Sequence, residues 1–251
     1  MKENEVILKR QSTRIFFKNG DTDFFFNWLL GIGEVFGFSH GELYYLAQKL
    51  GKSPKPDDWK NVFLSHGDYL EQKVSNSDLS GQTEAQYYLA QAYSFRSAIQ
   101  FINPYSDEYL STVHQMERAF SDAVHSLGAP VEKLAIDYQD SYLPGYYLHS
   151  GNNCPTLIMV GGGDTYREDL FYFAGYPGWR RSYNVLMVDL PGQGTNPGRG
   201  LTFDVNAAIP ISLCIDWLEG RNPELNDLAI YGVSGGGYFT AQAAEEDSRI
   251  H

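Results

Sequence analysis

The sequence contains few cysteines and few basic residues, and each of these properties excludes a class of site or partner. Its two cysteines, Cys154 and Cys214, can build neither a disulfide framework nor a zinc-ligand spacing. Lysine and arginine total 19 against 31 aspartate and glutamate, which gives a net charge of -12. Binding to a nucleic-acid backbone needs a concentrated basic face. We therefore predict no metal and no nucleic-acid partner.

An apolar run long enough to span a membrane is also missing. The longest run, residues 24–38, is interrupted by Asn27 and Glu34 and is too short to cross a bilayer. The first residues are charged and contain no apolar signal core. We therefore expect no membrane partner and a cytoplasmic protein.

The sequence divides into two halves in which hydrophobic residues recur with different periods. Up to about residue 127, apolar residues recur every three to four positions, which is typical of helices in series. Residues Asp21–Asp23 and Ser39 are candidate caps of the first two helices. The abundant aromatic residues are interpreted as packing between helices. The predicted helices cover residues 21–37, 41–50, 56–75, 80–102 and 104–126, within an all-helical domain at 1–127.

From residue 128 the pattern predicts strands. Two of them, at 131–137 and 142–149, form a hairpin, and three strand-then-helix units follow. Apolar strands that alternate with amphipathic helices are typical of parallel strands buried on both faces. We therefore predict an open α/β sheet, mostly parallel and entered by an antiparallel hairpin, over 128–251. The three units are 156–160 with 167–181, 184–188 with 205–220, and 228–231 with 236–246.

The last unit contains a Gly-x-Ser-x-Gly motif at 232–236, between a predicted strand and a helix. This arrangement is a nucleophile elbow, in which the strained turn requires glycine where strand and helix meet. Ser234 is therefore the candidate nucleophile, with a structural turn serine as the alternative. The N–H of Gly235 would lie at the helix N-terminus, where it can stabilise the oxyanion formed after attack.

A second oxyanion donor is expected in the loop after the strand 156–160. There Gly161-Gly162-Gly163-Asp164 leaves backbone amides free to face a substrate, and by its position Gly163 is the best donor. A plain tight turn is the alternative. Asp164 would lie at the mouth of the site, where it contacts substrate or caps the helix that starts near Thr165.

Neither glycine-rich segment matches a dinucleotide-binding fingerprint. After residues 161–163, Tyr166 occupies the place of the third glycine, and after 192–194 Pro197 prevents an immediate helix. We therefore predict no cofactor. Asp189, just before the second segment, is interpreted as a turn-forming residue rather than as a catalytic acid.

The order of hairpin, glycine loop, Asp-x-Pro-Gly-x-Gly and Gly-x-Ser-x-Gly resembles the α/β-hydrolase fold. Along its whole length the chain resembles a capped branch of that superfamily, the branch of 2,6-dihydroxypseudooxynicotine hydrolase, the fermentation–respiration switch esterase and acylaminoacyl-peptidase-like proteins. The resemblance implies an N-terminal helical cap over the site, Ser234 as nucleophile, Gly235 as oxyanion donor and Asp164 facing the pocket. The matching segments are residues 24–30, 57–59, 88–93, 143–146, 161–165 and 189–194.

The resemblance also implies a triad acid and a histidine that follow the serine in chain order. Only 14 residues follow Gly237, and His251 is expected at the entry of the next strand. We therefore expect a chain truncated after the nucleophile helix, inactive alone, whose C-terminal strands belong to a longer polypeptide or to another chain. The earlier histidines are interpreted as packed or solvated, or as part of the hairpin: His40, His66, His114, His125 and His149.

Two functions stay open. The first is a serine hydrolase, esterase-like or acylaminoacyl-peptidase-like, that cleaves an ester, an amide or an activated C–C bond of a small, partly apolar acyl substrate. The second is a catalytically incomplete binding or scaffold protein on the same fold, because a serine hydroxyl without base and acid is barely nucleophilic. A homodimer is left open.

Overall fold

A computed structural model describes residues 13–36, 38–223, 225 and 227–250. The first half of this described chain is helical, as predicted, and Pro56 opens the third helix at the expected position. None of the helices described is both long and apolar enough to cross a bilayer. The helices are α1 (Gly20–Phe36), α2 (His40–Leu50), α3 (Pro56–Ser75), α4 (Gly81–Ile99) and α5 (Asp107–Ser126).

The first two helices differ in how far their caps follow the sequence prediction. Ser39 caps α2 as expected, because its side chain accepts the N–H of Glu42. At α1 the cap is instead Asn19, whose side chain accepts the N–H of Asp21 at 2.9 Å. Asp23 reaches back to the backbone N–H groups of residues 15–17. Burial raises the pKa of the Asp23 carboxyl, but these three N–H groups and Arg14 lower it below its usual value.

The second half forms one five-stranded sheet in the order β1-β2-β4-β3-β5. The hairpin strands pair antiparallel, β2 pairs antiparallel with β4, and β3 runs parallel to both β4 and β5. The predicted open sheet with its antiparallel hairpin is therefore confirmed. The strands are β1 (Val131–Tyr138), β2 (Ser141–Leu148), β3 (Thr156–Val160), β4 (Asn184–Val188) and β5 (Leu228–Gly232).

Strand register brings the carboxyl ends of the three parallel strands to one edge of the sheet. Val160 at the end of β3 is paired with Val188 of β4 and with Gly232 of β5. The glycine loop, the Asp-x-Pro-Gly-x-Gly segment and the serine turn follow these three residues directly. All three motifs therefore lie side by side.

Alternating side chains of β3 and β4 pack on opposite faces of the sheet. Met159 and Met187 join a core cluster shared with α1–α5, whereas Val160 and Val188 join a second cluster with α8 (Ala208–Arg221) and α9 (Gly236–Glu246). Because the first cluster runs across both halves of the chain, the division into domains 1–127 and 128–251 stays a prediction.

The predicted helix over 167–181 is interrupted. It consists of α6 (Arg167–Leu170), a π-helical turn over Phe171–Gly175 and α7 (Tyr176–Trp179). Pro177 explains the break, since it has no N–H and its ring clashes with the carbonyl one turn earlier. Gly175 fills the narrow space left by the turn, where a Cβ would lie 3.1 Å from the carbonyl oxygen of Leu170.

The prediction that β5 is buried on both faces is wrong for most of its length. Only Leu228 is buried, and Tyr231 is 44% exposed. Within the described part of the chain β5 pairs with β3 alone, so it is an edge strand there. Its sequence is apolar enough for a central strand, and composition alone does not distinguish the two positions.

Candidate active site

Ser234 lies on a sharp turn between β5 and α9. Its φ is +55°, a left-handed backbone conformation that residues other than glycine rarely adopt. Glycine is required on both sides of it: a Cβ on Gly232 would lie 2.7 Å from the nitrogen of Gly237, and one on Gly236 would lie 2.6 Å from the Val160 carbonyl oxygen. The local geometry is that of a nucleophile elbow.

The glycine loop after β3 lies directly against this serine. A Cβ on Gly162 would come within 2.7 Å of the Ser234 Cβ and 3.1 Å of its Oγ, and one on Gly235 would lie 3.9 Å from the nitrogen of Gly163. Among the described residues, neither the N–H of Gly163 nor that of Gly235 donates a hydrogen bond. The fold thus brings Ser234, Gly235 and Gly163 together and leaves both amides available to a ligand.

Asp164 does not cap the next helix. That helix begins at Arg167 with Tyr166 as its N-cap, and the carboxylate that accepts the Tyr166 N–H, at 2.9 Å, is Asp169. The backbone oxygen of Asp164 instead accepts a short hydrogen bond from Arg96. The expectation of a capping role is therefore wrong, and the exposed Asp164 lies at the rim of a cavity.

That cavity has a volume of about 260 Å³ and lies between the helical half and the loops at the carboxyl edge of the sheet. We call the helices α1–α5 and their connections the cap. The cap contributes aromatic and cationic side chains, whereas the loops contribute mostly glycine backbone. Its walls therefore combine apolar ring faces with the free backbone amide of Gly163. The residues that define it include Arg96, Tyr105, Tyr109, Gly163, Asp164 and Tyr166.

Gln193 connects two loops of the site by hydrogen bonds, and its role is not predicted from the sequence. Its side chain is 1% exposed, and its Nε2 donates to the carbonyl oxygens of Gly161 and Gly162. Its Oε1 accepts the N–H of Leu190 at 2.8 Å. The only signal in the sequence is its place at the variable position between the two glycines of Asp-x-Pro-Gly-x-Gly. Those glycines suggest a nucleotide-binding loop and not a structural role for the glutamine.

Asp189 anchors an arginine rather than forming the turn itself. Its carboxylate accepts the backbone N–H of Arg167 at 2.8 Å and the Arg167 Nη1 at 2.7 Å. Burial raises the pKa of the Asp189 carboxyl although Arg167 opposes the shift. Arg167 also pairs with Glu117 of α5, so this ion cluster joins the cap to the sheet.

A second ionic cluster joins the cap to the glycine loop. Arg96 of α4 pairs with Asp169 at 3.0 Å, and the Tyr93 hydroxyl donates to the same carboxylate. The Arg96 guanidinium also stacks 4.4 Å from the centre of the Tyr166 ring. Burial lowers the pKa of Arg96, but Asp169, Tyr166 and Tyr93 together raise it by more, so the net shift is upward. Arg96 therefore stays charged inside the protein.

Glu168 is a buried acid with one free oxygen. Its Oε1 accepts the Tyr146 hydroxyl at 2.7 Å, whereas its Oε2 has no partner in the described structure. Burial raises the pKa of Glu168 to about 7, although Arg167 opposes the shift. This carboxyl therefore changes charge near neutral pH.

None of the histidines in the described residues hydrogen-bonds Ser234. His66 lies inside the cap, where it contacts Ser94 at 2.8 Å and Glu42 at 3.0 Å. His40 contacts the backbone oxygen of Leu30. The interpretation of the cap histidines as packed or solvated agrees with these positions, and His251 lies outside the described residues. The remaining exposed ones are His114, His125 and His149.

Known proteins that are similar to this chain include α/β hydrolases. No family model matches the chain. It is 28% identical to the α/β hydrolase ucsC of an Acremonium species over 88% of this chain and 50% of that protein. It is 29% identical to the α/β hydrolase psoB of Aspergillus fumigatus over 93% of this chain and 57% of that protein. The chain spans about half the length of these curated relatives.

A solved structure with a similar fold is 2,6-dihydroxy-pseudo-oxynicotine hydrolase. The TM-score is 0.69 at 19% identity, covering 88% of this chain and 62% of that one. The α/β-hydrolase fold inferred from the sequence motifs is therefore confirmed. The coverage includes the helical half, so the likeness in fold extends to the cap as well as to the sheet.

Proposed function

We propose that this protein is a serine hydrolase that cleaves an acyl bond of a small, partly apolar substrate, with Ser234 as nucleophile. The observation that carries the proposal is the left-handed Ser234 between β5 and α9, beside two backbone N–H groups without a protein partner among the described residues. A strained serine is retained where its exposure at a turn is useful. Free amides beside it are what an oxyanion requires.

In the proposed reaction the Ser234 Oγ attacks the carbonyl carbon, and the carbonyl oxygen becomes an oxyanion that accepts the N–H groups of Gly235 and Gly163. Collapse of this intermediate releases the leaving group, and water then hydrolyses the acyl-enzyme. The serine proton has to pass to a base, and the base needs an acid to orient it. We propose that both come from residues other than those described.

The size and lining of the cavity support a small substrate. A volume of about 260 Å³ lies just below the range of about 300–1,000 Å³ that is typical of ligand sites. Tyr105, Tyr109 and Tyr166 supply ring faces for an apolar or aromatic acyl group. Asp164 at the rim would meet a polar part of the substrate. An esterase-like or acylaminoacyl-peptidase-like activity on such a compound, in the cytoplasm, completes the proposal.

Labelling of the purified gene product with a fluorophosphonate tests the nucleophile. The probe should modify the wild type and fail to modify Ser234→Ala. Ser182→Ala is a matched control, since Ser182 is an exposed turn serine with φ +65° that lies outside the site. It should be labelled like the wild type. No labelling of the wild type would favour the non-catalytic binding or scaffold protein instead.

A substrate screen then distinguishes the bond types. Acyl esters, amides and aryl ketones of similar size are incubated with the wild type and with Ser234→Ala, and product formation is followed for each. Turnover that depends on Ser234 in one series identifies the bond. Turnover unchanged in the variant would contradict the role of the serine.

A further inference from the structure

We infer that Gln193 is a positioning residue that orients the Gly162–Gly163 peptide so that the Gly163 N–H is directed toward the oxyanion. This inference rests on the proposed function, because an oxyanion forms only if Ser234 attacks a carbonyl. It assigns a role in the reaction to a side chain that touches neither substrate nor serine. The role follows from the geometry of one peptide unit.

A trans peptide points its C=O and its N–H in opposite directions. The carbonyl oxygen of Gly162 accepts the Gln193 Nε2 at 3.1 Å, so the N–H of Gly163 points away from Gln193. Ser234 lies next to Gly162, and Gly235 lies next to the nitrogen of Gly163. The hydrogen bond from Gln193 therefore turns this N–H toward the serine.

No other hydrogen bond in the described structure holds this peptide unit. Three successive glycines give the loop wide conformational freedom. Thr165 accepts the N–H of Gly162 at 3.1 Å, which fixes the preceding peptide instead. Without Gln193, the Gly162–Gly163 peptide could rotate and turn its carbonyl oxygen toward the developing negative charge.

Gln193 is itself held in one orientation. Its Oε1 faces a donor, the Leu190 N–H, while its Nε2 faces the two carbonyl oxygens of Gly161 and Gly162. A flipped amide would set oxygen against oxygen and nitrogen against N–H, so only this assignment satisfies all partners. The side chain is buried, and water cannot replace these bonds.

The test replaces Gln193 in the purified gene product. In Gln193→Met the side chain keeps its length and loses its donor, so the rate of Ser234 labelling by the fluorophosphonate should fall. Losing one oxyanion donor lowers kcat by about 10²–10³-fold, and a misoriented donor should approach about 10²-fold. KM for the ester or amide identified by the screen should change little, because the donor acts in the transition state.

A matched control uses another buried glutamine. Gln91 of α4 is 5% exposed and its Oε1 has no partner in the described structure. Gln91→Met removes a buried amide without touching the loop and should label at the wild-type rate. Thermal unfolding of both variants checks that each is folded.

A double-variant cycle separates orientation from general support. Gly163→Pro deletes the N–H outright, at a position where a Cβ would meet no neighbour within 4 Å. If Gln193 acts through that N–H, adding Gln193→Met to Gly163→Pro lowers the rate no further. Additive losses would overturn the inference.

A second variant covers failure of Gln193→Met to fold. In Gln193→Glu the ionised carboxylate cannot donate to the two carbonyl oxygens, whereas the protonated acid can donate to one of them. Its labelling relative to wild type should rise as the pH falls. Wild-type labelling rates in a folded Gln193→Met, or a pH-independent ratio in Gln193→Glu, would contradict the inference while leaving the proposed function intact. If the wild type itself is not labelled, the proposed function fails first.

Discussion

Arg96 on the cap helix α4 and Asp169 on α6 form a salt bridge of 3.0 Å in which neither side chain is more than 2% exposed. The same guanidinium holds the backbone oxygen of Asp164 in the loop beside Ser234. One buried cation therefore links the cap, the first helix after the glycine loop and the candidate oxyanion site. Loss of this cation should therefore lower both the unfolding free energy and the reactivity of Ser234.

Replacing this cation should be severely destabilising. In Arg96→Met the Asp169 carboxylate stays buried without its partner, and breaking a buried pair in this way costs about 3–5 kcal/mol of unfolding free energy. Urea denaturation measures the loss. Arg221→Met serves as control, because Arg221 and Glu132 are both more than 40% exposed, and such a pair contributes about 0–1 kcal/mol. Equal losses in the two variants would contradict the structural role of Arg96.

The glycines of the serine turn should not be equivalent. A Cβ on Gly232 would clash with the backbone of Gly236 and Gly237, so Gly232→Ala should destabilise the protein by about 1–3 kcal/mol. Gly237 lies in α9 with open space around its Cα, so Gly237→Ala should stabilise the helix by about 0.5–1 kcal/mol. Thermal unfolding of the two variants should shift in opposite directions. Shifts of the same sign would contradict the steric requirement for glycine at position 232.

Stability should depend on pH through Glu168. Burial raises its pKa to about 7 from an ordinary value of 4.5, so between these values the folded state binds the extra proton. Unfolding free energy should therefore decrease as the pH rises through this window, by at most about 1.4 kcal/mol per pH unit from this group.

Glu168→Gln should remove that dependence while keeping a partner for the Tyr146 hydroxyl. Glu245→Gln, at an exposed position on α9, should leave the slope as in the wild type. Denaturant unfolding between pH 5 and pH 8 compares the three proteins. The assignment is wrong if the slope survives in Glu168→Gln.

The parts of the fold that are predictable from sequence depend on local signals. Pro56 at the first turn of α3, Ser39 as a cap and the apolar runs of β3 and β4 each act within a few residues of themselves. The serine turn is also local, because its glycines are needed where strand meets helix. Neighbouring residues alone are therefore enough to place these features in the chain.

The remaining features depend on partners distant in the chain. Arg96 and Asp169 are 73 residues apart, and Gln193 reaches carbonyl groups 31 and 32 residues away. No periodicity or spacing in the sequence relates such positions. The exposure of β5 likewise depends on which strands flank it rather than on its own composition.

Because the cap and the sheet share two ion clusters, this protein should resist recombination with its relatives at the junction near Gly128. A cap transplanted from a related protein would have to bring a cation for Asp169 and an acid for Arg167. Such a chimera would otherwise bury unpaired charges beside the loop that faces Ser234. In an evolving lineage the residues of the cap that line the cavity could then change independently of the sheet, whereas these charged residues could change only together with their partners on the other side.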